Sequence, residues 1–480
     1  MSPDNWKISL CIGGQWSAGA DARTVPITDP ANGSQLGTVA VAERADLERA
    51  VAAAQRGFKY WCNQPALERA KVLFKAASIV RDRKEAIAHL LTREQGKPLV
   101  EARGEIDIAA DIIDWCAEEA KRLYGRVVPA RRAGVLQLVL PVPVGPVAAF
   151  APWNFPVNQS VRKLAAALAA GCSIVLKGPE ETPASTAALV QAFLDAGVPG
   201  DAVSLVFGIP SEISDFLVPH PLIRKVTFTG STAVGKQLAA MAGLHMKRVT
   251  MELGGHAPVL VFEDADIDQA ASVLAAQKFR NAGQVCASPT RFLIQDTVFD
   301  AFTANFLERT ARIKIGSGLE PGTQMGPLVH ARRLQAMEDF VADALAHGGD
   351  LLAGGRRIGN EGYFFEPTVL ANVPTSARLM NEEPFGPIAI LNRFTHYDDA
   401  IEEANRLPYG LAAYAYSKAD ETISRVSADI ESGMISINHN GLGLPETPFG
   451  GIKDSGHGSE GGLEALAAFM APKFVTRAVC

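Results

Sequence analysis

Six cysteines are spread along the 480 residues, at Cys11, Cys62, Cys116, Cys172, Cys286 and Cys480, and none lies close enough to another for a CxxC zinc or redox pair. Cys286 differs from the rest. It follows Arg280-Asn-Ala-Gly283-Gln-Val, a polar, glycine-containing helix end, so it falls in a loop. A thiolate there can be a nucleophile if dipoles or cations lower its pKa. Cys62, Cys116 and Cys172 read as small buried hydrophobes. Glu252 closes the strand-like run Arg248–Glu252, just ahead of Leu253-Gly-Gly255. A carboxylate beside glycines has the freedom a general base needs; a salt-bridged strand end is the alternative.

Other stretches have phosphate chemistry in view. Gly230-Ser-Thr-Ala-Val-Gly235-Lys236-Gln237 nearly matches a P-loop, but Gln237 stands where Ser or Thr would hold magnesium. Free N–H groups at a helix start still attract an anion. Gly456-His-Gly458-Ser-Glu-Gly461 satisfies GxGxxG with no strand pattern before it, and reads as coincidence. More telling is a distributed arrangement. One strand ends at Ala151-Pro-Trp-Asn154, the next at Lys177-Gly-Pro-Glu180, and another at Phe228-Thr-Gly230-Ser231. Glu180 sits where ribose hydroxyls are accepted, and Ser231 opens a helix whose N-terminus suits phosphates. Together these favour a dinucleotide site, with no metal site expected.

The elements that must position these groups can be read from their alternation. Helices are expected over 66–83 and 106–122, with the first 120 or so residues helical after a short extended start. A proline-punctuated extended run, 135–144, reads as a ribbon or arm. Strands are then expected at 147–150, 173–177, 203–207, 225–229 and 248–252, with helices at 158–170, 184–196 and 232–241. That alternation implies right-handed crossovers and a parallel sheet. Val234, Leu238 and Met241 would share one helix face. Beyond Pro258, Asp266 can cap a helix that places Ile267, Ala271 and Leu274 together and ends near Gly283. The tail from Gly441 reads as irregular. Composition agrees with a globular chain: 48% hydrophobic, 20% charged, net charge −6. Nothing there attracts a polyanion, so nucleic-acid binding is not expected. No secretory signal is expected at Met1–Leu10, and prolines break the uncharged stretch 133–161, so no membrane span is expected and a reducing, cytoplasmic setting is.

The motifs, in order, resemble the aldehyde dehydrogenase superfamily of NAD(P)-dependent enzymes: Pro152-Trp-Asn-Phe-Pro156, Lys177-Gly-Pro-Glu-Glu-Thr-Pro183, Phe228-Thr-Gly-Ser231, Met251-Glu-Leu-Gly-Gly255, Gly283-Gln-Val-Cys286, Glu382-Glu-Pro-Phe-Gly-Pro387 and Pro448-Phe-Gly-Gly451. The resemblance implies an α/β fold. A Rossmann-type parallel-sheet cofactor domain (1–124 and 145–251) and a second α/β catalytic domain (252–438) are expected. A β-arm for oligomerisation (125–144 and 470–480) and a return segment with the substrate loop (439–469) complete it. It implies that Cys286 attacks the aldehyde, that Asn154 and the Cys286 N–H form the oxyanion hole, and that Glu252 activates water to hydrolyse a thioester. Glu460 aligns with a residue that assists proton transfer in many members, although Ser459 replaces a common arginine. For the cofactor it implies Lys177 and Glu180 on the adenosine ribose, and Ser231 on the pyrophosphate. Pro152, Trp153, Gly208, Phe228, Gly230, Val234 and Leu253 would lie around the cofactor, with Glu383 on the nicotinamide ribose and Phe385 beside it. Glu180 would repel a 2′-phosphate, which favours NAD, while Lys177 leaves NADP possible.

The substrate expectation rests on cations. Arg162 and Arg280 stand where succinate-semialdehyde dehydrogenases are similar to this chain and clamp a far carboxylate, with Phe449 also lining the site. The loop Asn440-Gly-Leu-Gly-Leu-Pro-Glu446-Thr447 lacks the serine those enzymes use, and Ser288 excludes a Cys-x-Cys redox switch with Cys286. Other carboxylated aldehydes and neutral aldehydes therefore stay open. The weighed alternatives are transfer of the acyl group to coenzyme A, which Glu252 argues against, a P-loop nucleotide hydrolase, and a silent scaffold. By resemblance the chain is a homodimer or homotetramer.

Overall fold

The runs Val147–Phe150, Ile174–Lys177, Val203–Val206 and Lys225–Thr229 are buried along their whole length, as strands covered on both faces must be. In the computed structural model, which describes residues 5–478, they form the middle of an eight-stranded sheet. Its order is Gly456–His457, Arg248–Glu252, Lys225–Thr229, Val147–Phe150, Ile174–Lys177, Val203–Val206, Leu10–Ile12 and Gln15–Ser17. The inner pairings are parallel, and the pairings at both edges are antiparallel. After Val147–Phe150 the chain builds outward on one side, then returns to place Lys225–Thr229 on the other. That reversal opens a crevice at the carboxyl ends of these strands.

The crossover helices have plain start and stop signals. Pro156–Ala170 and Pro183–Ala196 each begin with proline in the first turn and end at a left-handed glycine, Gly171 (φ 90) and Gly197 (φ 109). Pro156–Ala170 is buried on every side except at Asn158. A second sheet of seven strands runs Asp350–Ala353, Thr368–Ala371, Ile388–Phe394, Pro289–Gln295, Ala257–Val261, Ala412–Tyr416 and Met434–Ile437, parallel apart from its first member. Each large sheet has its own apolar core. Arg126–Val128, Val135–Pro143 and Met470–Ala478 make a separate antiparallel sheet.

Several expectations are corrected. The first 45 or so residues hold five short strands, Trp6–Ile8, Leu10–Ile12, Gln15–Ser17, Thr24–Thr28 and Gln35–Ala40, rather than one extended start. The helix expected from 106 begins at Leu99, directly after Pro98, a helix-start signal. On Thr232–Leu244 the buried face is Gly235, Leu238 and Ala242, and Val234 is 42% exposed. The tail from Gly441 is not wholly irregular: it contains Ile452–Lys453, Gly456–His457, the helix Glu464–Ala467 and Met470–Ala478. Cys116 and Cys172 are buried as expected, whereas Cys62 is partly exposed. Among the described residues no helix is long and apolar enough to cross a membrane, and no cluster of potential ligands could hold a metal ion. Met1–Asp4, part of the segment read for a signal, and Cys480 lie outside the described residues.

Candidate active site

Asp266 caps the Ile267–Phe279 helix by accepting the Gln269 N–H at 3.1 Å. Past Phe279 the chain turns through three successive left-handed residues, Asn281 (φ 50), Ala282 (φ 51) and Gly283 (φ 69). Only glycine fits at 283, where a Cβ would stand 2.0 Å from the Gly386 carbonyl oxygen. Gln284 is buried and ties the loop down: its Oε1 accepts the Val329 N–H at 3.0 Å and its Nε2 donates to the Asn281 carbonyl at 3.1 Å. Cys286 follows, half-buried with a free thiol, in a funnel of about 700 Å³ that Arg162, Arg280, Tyr414 and Phe449 also line. Burial, with the Glu383 and Glu252 carboxylates, pushes the thiol up to about 12. Across from the loop, the Asn154 Nδ2 donates to the Gln284 carbonyl at 3.0 Å, and its second N–H has no acceptor among the described residues.

Glu252 is buried at the end of its strand, and neither carboxylate oxygen has a hydrogen-bond partner among the described residues. Its pKa lies well above the usual carboxylate range, first through burial and then through Glu460, against the pull of Lys163 and Arg162. Glu460 is itself buried: its Oε1 accepts Lys163 Nζ at 2.6 Å and Thr227 Oγ1 at 3.0 Å. Lys163 also donates to Thr229 Oγ1 at 2.6 Å. Lys163 was not singled out by the sequence; its one signal is a second cation beside Arg162 on an otherwise uncharged helix. The glycines read as a chance GxGxxG have a packing reason. A Cβ on Gly456 would lie 1.9 Å from the Met251 carbonyl oxygen, so these glycines let an edge strand press against the strand that presents Glu252.

The strand-end residues converge on the crevice. Glu180 accepts Lys177 Nζ at 2.6 Å and the Gly208 N–H at 3.1 Å. Ser231 occupies the N-cap of Thr232–Leu244 without making a cap bond, and the Thr232 Oγ1 nearby is buried with no partner among the described residues. The glycines of Gly230–Lys236 serve packing: a Cβ on Gly230 would meet the Phe228 ring at 2.5 Å, and one on Gly235 the Leu253 side chain at 2.2 Å. Lys236 pairs with Asp454 on the surface. Glu383 Oε1 accepts the Gly255 N–H at 3.3 Å, and burial raises its carboxyl to about 7. Phe385 holds a left-handed φ of 45, a strained conformation for an aromatic residue, with the Trp153 ring edge-on at 5.6 Å. Pro152 and Trp153 are half-buried just ahead of Asn154, and Val234 is exposed on the Ser231 helix. An uncapped helix N-terminus, an orphaned hydroxyl and two fixed carboxylates fit a dinucleotide.

The arginines differ. Arg162 is buried and occupied: it donates to the Glu460 carbonyl at 2.9 Å, the Gly443 carbonyl at 2.7 Å and Asn158 Oδ1 at 3.2 Å, with the Phe449 ring 5.1 Å away. Arg280 is exposed to the funnel, lies 5.0 Å from the Phe155 ring, and makes no side-chain hydrogen bond to a described residue. The half-buried Glu101 faces it in charge, its carboxyl raised to about 7 by burial.

A half-buried thiol thus lies close enough to the buried Glu252 and Glu383 carboxylates to feel their charge, and residues 16–475 match the model of the aldehyde dehydrogenase family. The chain belongs to the aldehyde dehydrogenase family. It is an oxidoreductase of the aldehyde group that uses NAD(P). A 4-(hydroxymethyl)benzenesulfonate dehydrogenase of Comamonas testosteroni is 47% identical over 97% of each chain. A 3-sulfolactaldehyde dehydrogenase of Pseudomonas putida is 41% identical over 98% of this chain and 97% of its own. The crystal structure of succinate-semialdehyde dehydrogenase from Burkholderia pseudomallei superposes with a TM-score of 0.97 at 41% identity, covering 98% of both chains. Nothing in these comparisons points to a P-loop hydrolase.

Proposed function

We propose that this aldehyde dehydrogenase oxidises an aldehyde carrying an anionic group at its far end, a carboxylate as in succinate semialdehyde or a sulfonate, to the carboxylic acid. The observation that carries the reading is Arg280, a funnel-facing guanidinium with no hydrogen-bonded partner among the described residues. A planar guanidinium pairs with two oxygens of a carboxylate or sulfonate at once. Arg162, whose donors already go to loop carbonyls, shapes the substrate loop and adds positive charge rather than a free fork. Three relatives named for sulfonated or carboxylated compounds support the same class.

In the chemistry proposed, the Cys286 thiol releases its proton to solvent and its sulfur adds to the aldehyde carbon, while the free Asn154 N–H and the Cys286 main-chain N–H take the developing oxyanion. One such donor is worth ~3–4 kcal/mol. When bound, NAD(P)⁺ supplies the hydride acceptor that turns the thiohemiacetal into a thioester. Glu252 then takes a proton from the water that hydrolyses it, with Glu460 and Lys163 placed to pass that proton on. Lys177 and Glu180 would hold the adenosine ribose, Ser231 the pyrophosphate, and Glu383 the nicotinamide ribose. Glu180, pinned by two donors, would oppose a 2′-phosphate, so NAD is the preferred cofactor. The sheet of Arg126–Val128, Val135–Pro143 and Met470–Ala478 is proposed to mediate a homodimer or homotetramer.

The test is a panel of aldehydes of equal length with terminal carboxylate, sulfonate or methyl groups, assayed with NAD and NADP. Anionic members should exceed the neutral one at least tenfold in kcat/KM, and Arg280→Ala should erase most of that margin. Equal use of neutral and anionic aldehydes would refute the anionic-tail reading.

A further inference from the structure

We infer that Lys97 and Asn281 are positioning residues that clamp the Asn154 turn onto the Cys286 loop and so aim the Asn154 amide; the inference rests on the cysteine-nucleophile reading above. Lys97 and Glu105 form an ion pair at 2.6 Å with side chains at most 1% exposed. Lys97 Nζ donates as well to the Asn154 carbonyl at 2.8 Å and sits 3.8 Å over the Phe155 ring. The other Glu105 oxygen accepts the N–H groups of Val157 at 3.0 Å and Asn158 at 3.1 Å. One buried pair therefore grips the turn from both ends, Asn154 at its start and the first helical N–H groups at its finish.

Asn281 joins that turn to the nucleophile loop. Its Nδ2 donates to the Asn154 carbonyl at 3.0 Å and to the Gln284 carbonyl at 3.3 Å, the same oxygen that accepts Asn154 Nδ2. Gln95 completes the ring, donating to Asn281 Oδ1 at 2.9 Å and accepting the Lys97 N–H at 2.9 Å. With one Asn154 proton held on Gln284, the second is fixed in direction for an oxygen forming beside Cys286. A buried ion pair is poor evidence for stability, since apolar residues of equal volume often serve as well. What this pair adds is direction, and a misplacement of about 1 Å can cost on the order of 100-fold in rate.

The test compares two reactions of the full-length enzyme at the same sulfur. In acylation by p-nitrophenyl acetate a new S–C bond forms through a tetrahedral oxyanion, and p-nitrophenolate leaves with the C–O electrons. In alkylation by iodoacetamide the S–C bond forms as iodide leaves and the thiol proton goes to solvent, with no oxyanion. Asn281→Gly, which keeps the left-handed backbone permitted, and Lys97→Met should each slow acylation about 10- to 100-fold. Alkylation should stay within about twofold, and the acylation loss should largely vanish when each change is made on an Asn154→Ala background. Asn281→Gly carries the test if Lys97→Met does not fold. Equal losses in acylation and alkylation, or full additivity with Asn154→Ala, would overturn the positioning role. Acylation that survived Cys286→Ala would instead overturn the nucleophile reading beneath it.

Discussion

At the scale of single residues, the chemistry is poised by burial more than by charge. Cys286 is pushed up to about 12, so at neutral pH nearly all of it is thiol in the cofactor-free chain. The sign follows: below 12, each pH unit upward raises the thiolate fraction about tenfold. Alkylation of the cofactor-free enzyme by iodoacetamide should therefore climb about tenfold per unit between pH 7 and 10, and a flat profile would mean that the thiol is already ionised. Glu252 is raised for the same reason, with Glu460 adding to it. Its base form is favoured only as pH rises through that elevated value, so turnover limited by thioester hydrolysis should increase toward alkaline pH. Glu252→Gln removes the proton acceptor but leaves Cys286 acylation intact. It should give a burst of about one NADH per subunit followed by turnover reduced ~10²- to 10⁴-fold, read by stopped-flow absorbance.

Strand ends, turns and close contacts decide the element scale. Gly283 lets the Cys286 loop lie against the Gly386 carbonyl in a left-handed conformation, so Gly283→Ala meets both a clash and backbone strain. It should cost at least ~2 kcal/mol in denaturant unfolding and disorder the loop that carries Cys286. Glu180 is held by Lys177 and Gly208 at the end of its strand, and Glu180→Ser should raise the NADP to NAD ratio of kcat/KM at least tenfold. The inner strands of the cofactor sheet were legible because burial on both faces leaves short unbroken apolar runs bounded by Gly and Pro. The edge strands Gln15–Ser17 and Gly456–His457 were not, since half-exposed pieces of two or three residues carry no period. Cys286 and Glu252 could be picked out as candidates by their place next to turns, whereas the role of Asn154 came only with the family resemblance. The occupation of Arg162 could not, because two of its three partners are main-chain carbonyls at Gly443 and Glu460, far away in sequence and indifferent to side-chain type.

At the scale of the whole molecule, the two large sheets bury their own cores while the sheet of Arg126–Val128, Val135–Pro143 and Met470–Ala478 is left half-covered. Val127 (68% exposed), Leu140 (39%) and Phe474 (58%) all lie on its strands. Among the described residues its outer strands, Arg126–Val128 and Met470–Ala478, pair with no further strand, and Met470–Ala478 is nine residues long. A long, partly apolar edge of this kind invites pairing with another chain. Light scattering should therefore give a mass at least twice the 51.0 kDa of one chain. Phe474→Glu places a charge where a partner would cover it and removes little from the single chain's own packing, so it should shift the population toward monomer with no loss of helical circular dichroism. The funnel, Cys286 and Glu252 all come from one chain. The dissociated variant should accordingly keep its Cys286 alkylation rate even as its melting temperature falls, whereas a rate that collapsed with the assembly would mean that a neighbouring subunit completes the site.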